Sequence, residues 1–257
     1  MDYACNVARR TFLKGTAVAL AASAARAAGE ARKIRILIVT GGHGFDQKAF
    51  LGMFEGQDDL APTHAPQKDH CEFLEDISQW PYDVIVQYHL AQNISEERKA
   101  NFLALMDKGV GVVTLHHALS AFQGWPEYRT IIGGRSYLRP TVVNGVTFPQ
   151  TTDRPGVTYT ARIADPSHPI TRGIEDFAIE KDEPYRNYVV NPASHVILTT
   201  DCPESDKAIG WVHTCRKART VYLQPGHTGA TFQNPSYRTL ILRAIRWAAA
   251  SPGPLAP

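Results

Sequence analysis

Ile34-Arg35-Ile36-Leu37-Ile38-Val39-Thr40, followed by Gly41-Gly42-His43-Gly44, is the stretch on which the fold turns. A short apolar run closed by a glycine cluster reads as a buried strand that ends in a tight turn. Residues 46–55 then read as a helix. The unit repeats further on, where Asp83-Val84-Ile85-Val86-Gln87-Tyr88 forms a second strand. Ser95, followed by Glu96 and Glu97, starts a helix with Phe102, Leu105 and Met106 on its apolar face, and Gly109 ends it. Val110 to Leu115 is a third strand that runs directly into His116-His117. Strands separated by helical segments predict right-handed βαβ units and a mostly parallel sheet covered on both faces.

From about Gly133 to Asn191 the texture changes to short extended pieces and turns rich in Pro, Gly and Asp, with Val157 to Ala164 the clearest strand. This region reads as an excursion from the sheet. His195–Thr200, Ala208–Val212 and Thr220–Leu223 return to strand character, and Pro235 to Ala250 closes the chain as an amphipathic helix. The expected architecture is a three-layer α/β sandwich.

The first 27 residues read differently. Ala8-Arg9-Arg10-Thr11-Phe12-Leu13-Lys14 sets an arginine pair before the small, uncharged stretch Gly15–Ala25, which is too short to span a membrane. The pattern resembles a twin-arginine export signal, and Ala25-Arg26-Ala27 supplies the small residues of a cleavage site. The expectation is therefore a signal peptide over 1–27 and one α/β domain over 28–257, exported folded to the periplasm. Removing Arg9, Arg10, Lys14 and Arg26 together with Asp2 takes the formal net charge from +2 to −1. A near-neutral surface argues against nucleic acid or anionic lipid as the partner. Of the four cysteines, Cys5 belongs to the leader, Cys71 reads as a small buried hydrophobe, and Cys202 and Cys215 flank neighbouring strands as candidates for a disulfide.

Ligands of open parallel sheets bind beyond the carboxyl ends of the strands. His43, His89, His116, His117 and His227 all fall at such ends. A single histidine in a turn is usually a hydrogen-bonded structural residue, and His64, His70, His195 and His213 are read so. Shared topology instead marks His43, His116 and His227 as one site. No Gly-x-Ser-x-Gly and no Gly-x-Gly-x-x-Gly occurs, which argues against a serine hydrolase of that type and against a nicotinamide cofactor.

The Thr40-Gly41-Gly42-His43 opening, Leu115-His116, Gly133-Gly134, His168-Pro169-Ile170-Thr171, Asp182-Glu183 with Tyr185, Trp211 and Gly226-His227 together resemble the trehalose-utilisation (ThuA-like) family across nearly all of residues 34–248. The resemblance implies a flavodoxin-like fold of the class I glutamine amidotransferase type and a role in carbohydrate catabolism, often alongside sugar oxidation. Those amidotransferases carry a cysteine in the turn after the third strand. Here His116 stands in that turn, so an amidotransferase is not expected.

Imidazoles and a carboxylate in one pocket either exchange protons or bind a divalent metal such as zinc. Both readings stay open at this stage. For proton transfer the catalytic candidates are His43, His116, Glu183, Tyr185 and His227. For a metal they are His43, His116 and His227, with Glu183 supplying an oxygen ligand. Candidate substrate-binding residues are His117, Asp182, Arg135 and Trp211, the last of which could equally fill the core. The resulting expectation is an exported hydrolase, lyase or isomerase acting on a glycoside or an oxidised (keto) glycoside. A non-catalytic sugar-binding protein is the alternative.

Overall fold

The computed structural model describes residues 32–250, so the expected export signal lies outside the described residues. Nine strands form the central sheet: β1 (Ile34–Gly41), β2 (Leu60–Pro66), β3 (Val84–His89), β4 (Gly111–Leu115), β5 (Val157–Ile163), β6 (Phe177–Asp182), β7 (His195–Thr199), β8 (Ala208–Cys215) and β9 (Ala218–Leu223). Their order across the sheet is β6-β5-β7-β8-β9-β4-β3-β1-β2. From β2 to β9 every neighbouring pair is parallel, and from β9 to β6 every pair is antiparallel. The β2-β1-β3-β4 sequence is the flavodoxin-like order, whose direction of winding reverses between β1 and β3.

Side chains alternate across the sheet, so β1 feeds two cores. Ile36 and Ile38, with Val84, Val86, Val113, Leu115, Val221 and Leu223, pack under α1 (Gln47–Leu51), α4 (Gly229–Gln233) and α5 (Pro235–Ala249). Leu37 and Val39, with Ile85, Val112 and Tyr222, face α2 (Glu96–Lys108) and α3 (Tyr128–Ile132). These are the three expected layers. Ser95 caps α2 by accepting from the Arg98 amide, and Gly109 closes it in the left-handed conformation at φ 82°. Asn234 caps α5, which lies so close to β4 that a Cβ on Gly111 would sit 2.5 Å from the Ala248 carbonyl oxygen. Among the described residues no helix is long and apolar enough to cross a membrane.

Several sequence expectations change. The helix expected over 46–55 shrinks to α1, because the chain after Gly52 turns tightly while still burying Met53 and Phe54. β2 adds a strand to those read from the sequence, although Pro62 and Pro66 argue against a strand interior. As the sheet edge, β2 needs to hydrogen-bond on one side only, and there prolines are tolerated. The strand before His116 is therefore the fourth. The region 133–191 is only partly an excursion, because β5 and β6 extend the sheet. Its remainder makes short ribbons, Gly134–Arg135 with Val189–Val190 and Thr152–Asp153 with Tyr185–Arg186.

The candidate disulfide does not form: Cys71, Cys202 and Cys215 are all free. Cys202 follows β7 where Thr199 pairs with Ala208, whereas Cys215 lies at the far end of β8. Seven residues of extended chain separate those ends by roughly 23 Å. Burial pushes the Cys71 thiol up to about 12, which leaves it inert as a nucleophile.

His89, at the end of β3, is fully buried and accepts a hydrogen bond from the Ala91 amide at Nδ1. Burial lowers its pKa to about 4. The unfolded chain protonates this residue first, near pH 6.5, so stability should fall as the pH drops from about 6.5 to about 4, by about 3 kcal/mol for this group. Urea denaturation across that window should show a smaller loss for His89→Gln than for the wild type. Equal losses would mean that His89 takes up its proton within the fold.

Candidate active site

β4 delivers His116 to the carboxyl edge of the sheet with a left-handed backbone, φ 50°, and no solvent exposure. For a residue other than glycine this conformation costs about 1–3 kcal/mol, and such strain persists where the surroundings over-determine it. Here Nδ1 of His116 donates to the Gln224 carbonyl oxygen at 2.9 Å, and the His116 carbonyl accepts from the Tyr222 hydroxyl at 3.1 Å. A carbonyl can only accept, so the neutral ring carries its hydrogen on Nδ1 and presents the Nε2 lone pair to the pocket.

Glu183 and Tyr185 meet that lone pair. They lie just beyond β6, where the chain turns back across the strand ends. The Tyr185 hydroxyl is 2.8 Å from His116 Nε2 and 3.0 Å from Glu183 Oε2, and Glu183 Oε2 is 3.2 Å from His116 Nε2. His227 Nδ1 stands 3.4 Å from the same carboxylate oxygen. Burial alone would raise the Glu183 pKa, but when the rings of His116 and His227 are protonated, a hydrogen bond from His116 and the charges of both outweigh it and hold the carboxyl below its usual value. Tyr185 moves up, through burial and the neighbouring carboxylate, and keeps its proton.

The loop carrying His227 is tied down by Asp182. Its buried carboxylate accepts from the Gly226 amide at 2.9 Å and from the His227 amide at 2.6 Å. Gly226 has φ 141°, and a Cβ there would approach the Tyr237 hydroxyl to 2.7 Å, so only glycine fits this turn.

His43, in the glycine turn after β1, stacks on His117 with ring centroids 4.6 Å apart and meets His227 edge-on at 5.8 Å. His117 lies 5.4 Å from His116, and His116 lies 5.4 Å from His227. The four imidazoles thus close into a ring. Burial first, then the neighbouring imidazoles, lowers the pKa of His43 and drives that of His117 well below the ordinary value. Both ring nitrogens of His117, and Nδ1 of His43 and of His227, are buried without a hydrogen-bond partner among the described residues.

The sequence-expected residues divide accordingly. His43, His116, His117, Glu183, Tyr185 and His227 come together, and Asp182 supports them through the backbone. Trp211 does not join them: it is fully buried, its Nε1 donates to the Ile132 carbonyl at 2.9 Å, and Tyr222 covers its ring at 4.3 Å, leaving no face for a sugar. Arg135 turns its guanidinium to the Gln123 carbonyl and the Tyr137 ring. The metal set expected from the sequence also shifts. The nitrogen and oxygen atoms that converge are those of His116, Glu183 and His227, within 4.8 Å of one another, and His43 is not among them. His64, His195 and His213 have structural partners in Thr40, Asp165 and Ser194. Gln224, whose carbonyl fixes the His116 tautomer, escaped sequence reading because a backbone group leaves no residue-type signal. Its position directly after β9 was the available clue.

The model of the trehalose-utilisation family, ThuA, matches residues 35–248. The chain belongs to that family. No curated protein matches it. Among solved structures, a ThuA-like protein from Parabacteroides merdae is 21% identical with a TM-score of 0.72, over 85% of this chain and 90% of that one. A ThuA-like protein from Bacteroides uniformis is 18% identical with a TM-score of 0.60, over 86% and 93%. A β-galactosidase from G. stearothermophilus aligns at 12% identity and a TM-score of 0.53, over 86% of this chain but 31% of that enzyme. At these identities the likeness is one of fold.

Asp182→Asn replaces one acceptor with an amide that faces a backbone N–H. It should cost about 1–3 kcal/mol in urea denaturation. In imidazole NMR spectra it should shift the His227 resonances and leave those of His195 in place. An unmoved His227 would show that Asp182 does not position it.

Proposed function

We propose that this protein is an enzyme of carbohydrate breakdown in which Glu183 and the adjoining imidazoles carry out acid–base chemistry on a glycoside or an oxidised (keto) glycoside. Membership of the trehalose-utilisation family makes a carbohydrate-related role the natural frame. The observation that carries the reading is the single oxygen, Glu183 Oε2, set within 3.4 Å of His116, His227 and Tyr185.

An ionised carboxylate in a mostly buried site is a competent general base. A proton it takes from the substrate has a path to His116 Nε2, whose lone pair already faces it. When Nε2 is protonated, the Nδ1–H bond to Gln224 holds the resulting imidazolium in place, much as an orienting acceptor does in other histidine-based sites. Tyr185 keeps its hydrogen and is the donor available to a developing negative oxygen. Hydrolysis, elimination and isomerisation all need these parts. Amide transfer from glutamine would need a nucleophile that His116 does not supply.

The test is turnover over a panel of neutral disaccharides and their keto derivatives. Glu183→Gln should lower kcat by about 10²–10⁴-fold, and Tyr185→Phe less, with circular dichroism unchanged. Wild-type rates in both Glu183→Gln and His116→Ala would defeat the proposal. Saturable binding with no product would favour the non-catalytic sugar-binding reading.

Export belongs to the same proposal and is supported by Arg9-Arg10 ahead of the apolar stretch. Replacing both arginines with lysine should retain the protein in the cytoplasm on cell fractionation, whereas the exported wild-type chain should begin at Ala28. Equal periplasmic yield from the two would remove the twin-arginine assignment.

A further inference from the structure

Two lone-pair-bearing atoms lie at hydrogen-bonding distance in this site with too few hydrogens between them. His116 spends its one hydrogen on Gln224, so Nε2 faces Glu183 Oε2 at 3.2 Å as acceptor to acceptor. Tyr185 is within reach of both but has one hydrogen and can serve one at a time. His227 Nδ1 adds a third atom at 3.4 Å, buried and without a hydrogen-bond partner. A cation at its centre, whether a proton or a metal ion, would satisfy all three atoms.

We propose that His116 Nε2, Glu183 Oε2 and His227 Nδ1 hold one divalent transition-metal ion of the zinc type. The inference takes from the proposed acid–base reading only the location of the site, and it gives that site a resident cation. Three features on different parts of the chain support it. The three atoms lie within 4.8 Å of one another, a span that small side-chain rotations close to ligand distances. His116 donates its remote ring nitrogen to a backbone carbonyl, the arrangement by which metal-binding histidines fix their tautomer and strengthen the facing lone pair. The third feature is charge: Asp182 and Glu183 are both buried, and among the described residues no lysine or arginine forms an ion pair with either. Buried carboxylates are ordinarily paired or bound to a metal.

The donor set selects the ion. Two imidazole nitrogens and one carboxylate oxygen suit zinc, cobalt, nickel or iron(II), whereas magnesium and calcium prefer oxygen ligands. Three protein ligands leave a position open for water or substrate. His43 and His117, which close the imidazole ring on the other side and have unpartnered nitrogens, are the groups left to hydrogen-bond whatever occupies that position. This assigns His43 a role beside the ion rather than on it.

The test uses the untagged chain, stripped with a chelator and titrated by calorimetry with zinc, cobalt or magnesium chloride. One zinc ion should bind per chain, magnesium should not compete, and cobalt should give the visible absorption of a low-coordinate nitrogen–oxygen site. Glu183→Gln and His227→Ala should each weaken zinc binding by at least about 100-fold. His43→Ala should retain zinc, as should His195→Ala, which lies on the Asp165 pair elsewhere. No stoichiometric zinc on the wild-type chain would overturn the proposal whatever the variants do, and so would wild-type affinity in folded Glu183→Gln and His227→Ala. Glu183-dependent turnover by a zinc-free chain would sink the ion and leave the acid–base reading intact. Stoichiometric zinc with no turnover on any sugar would do the reverse.

Discussion

The parallel ladder between β4 and β9 is the constraint on which the rest of this molecule depends. It pairs Thr220 with Val112 and continues in register to Leu223 opposite Leu115. The next residue on each strand is then His116 on one side and Gln224 on the other. Their side chain-to-carbonyl hydrogen bond joins positions 108 apart in the chain. A slip of one residue would turn every side chain of β9 to the other core and carry the Gln224 carbonyl away from the imidazole. The hydrophobic pattern of the two strands therefore sets the protonation geometry of the site, and the strained backbone of His116 is held by the same packing.

A second consequence concerns charge. The site gathers two carboxylates and four imidazoles at one edge of the sheet, where burial disfavours every charged form. Burial works to raise the Glu183 pKa but is outweighed by His116 and His227 when they are protonated, while His43 and His117 are pushed toward neutrality by burial and by the neighbouring imidazoles. Asp182 uses its charge differently, on two backbone amides, and so converts electrostatics into the placement of His227. Adjacent acidic residues thus divide the work: one shapes the loop and the other faces the imidazole cluster.

Much of this was legible in the sequence. The apolar runs at 34–40, 83–88 and 110–115 announced buried strands, the Ser95 cap and Gly109 stop bounded α2, and the strand-end rule brought His43, His116 and His227 to one edge. The failures have physical causes. β2 carries two prolines that are harmless only at an edge, and whether a strand is an edge depends on the whole sheet. Trp211 was open between a sugar platform and the core, and only the Tyr222 ring and the Ile132 carbonyl decided for the core. Cys202 and Cys215 sit near each other in a list of strands but at opposite ends of β8.

Local sequence determined the periodicity of each element, the glycine turns and the supply of histidines, because those depend on side-chain volume, backbone freedom and nearest neighbours. The tertiary structure alone decided which nitrogen of His116 faces the pocket, that His43 stands outside the set in which Glu183 converges with His116 and His227, and that Asp182 is a scaffold. These outcomes depend on contacts between residues 44 to 111 positions apart. Register and packing fix such contacts, and no local pattern encodes them.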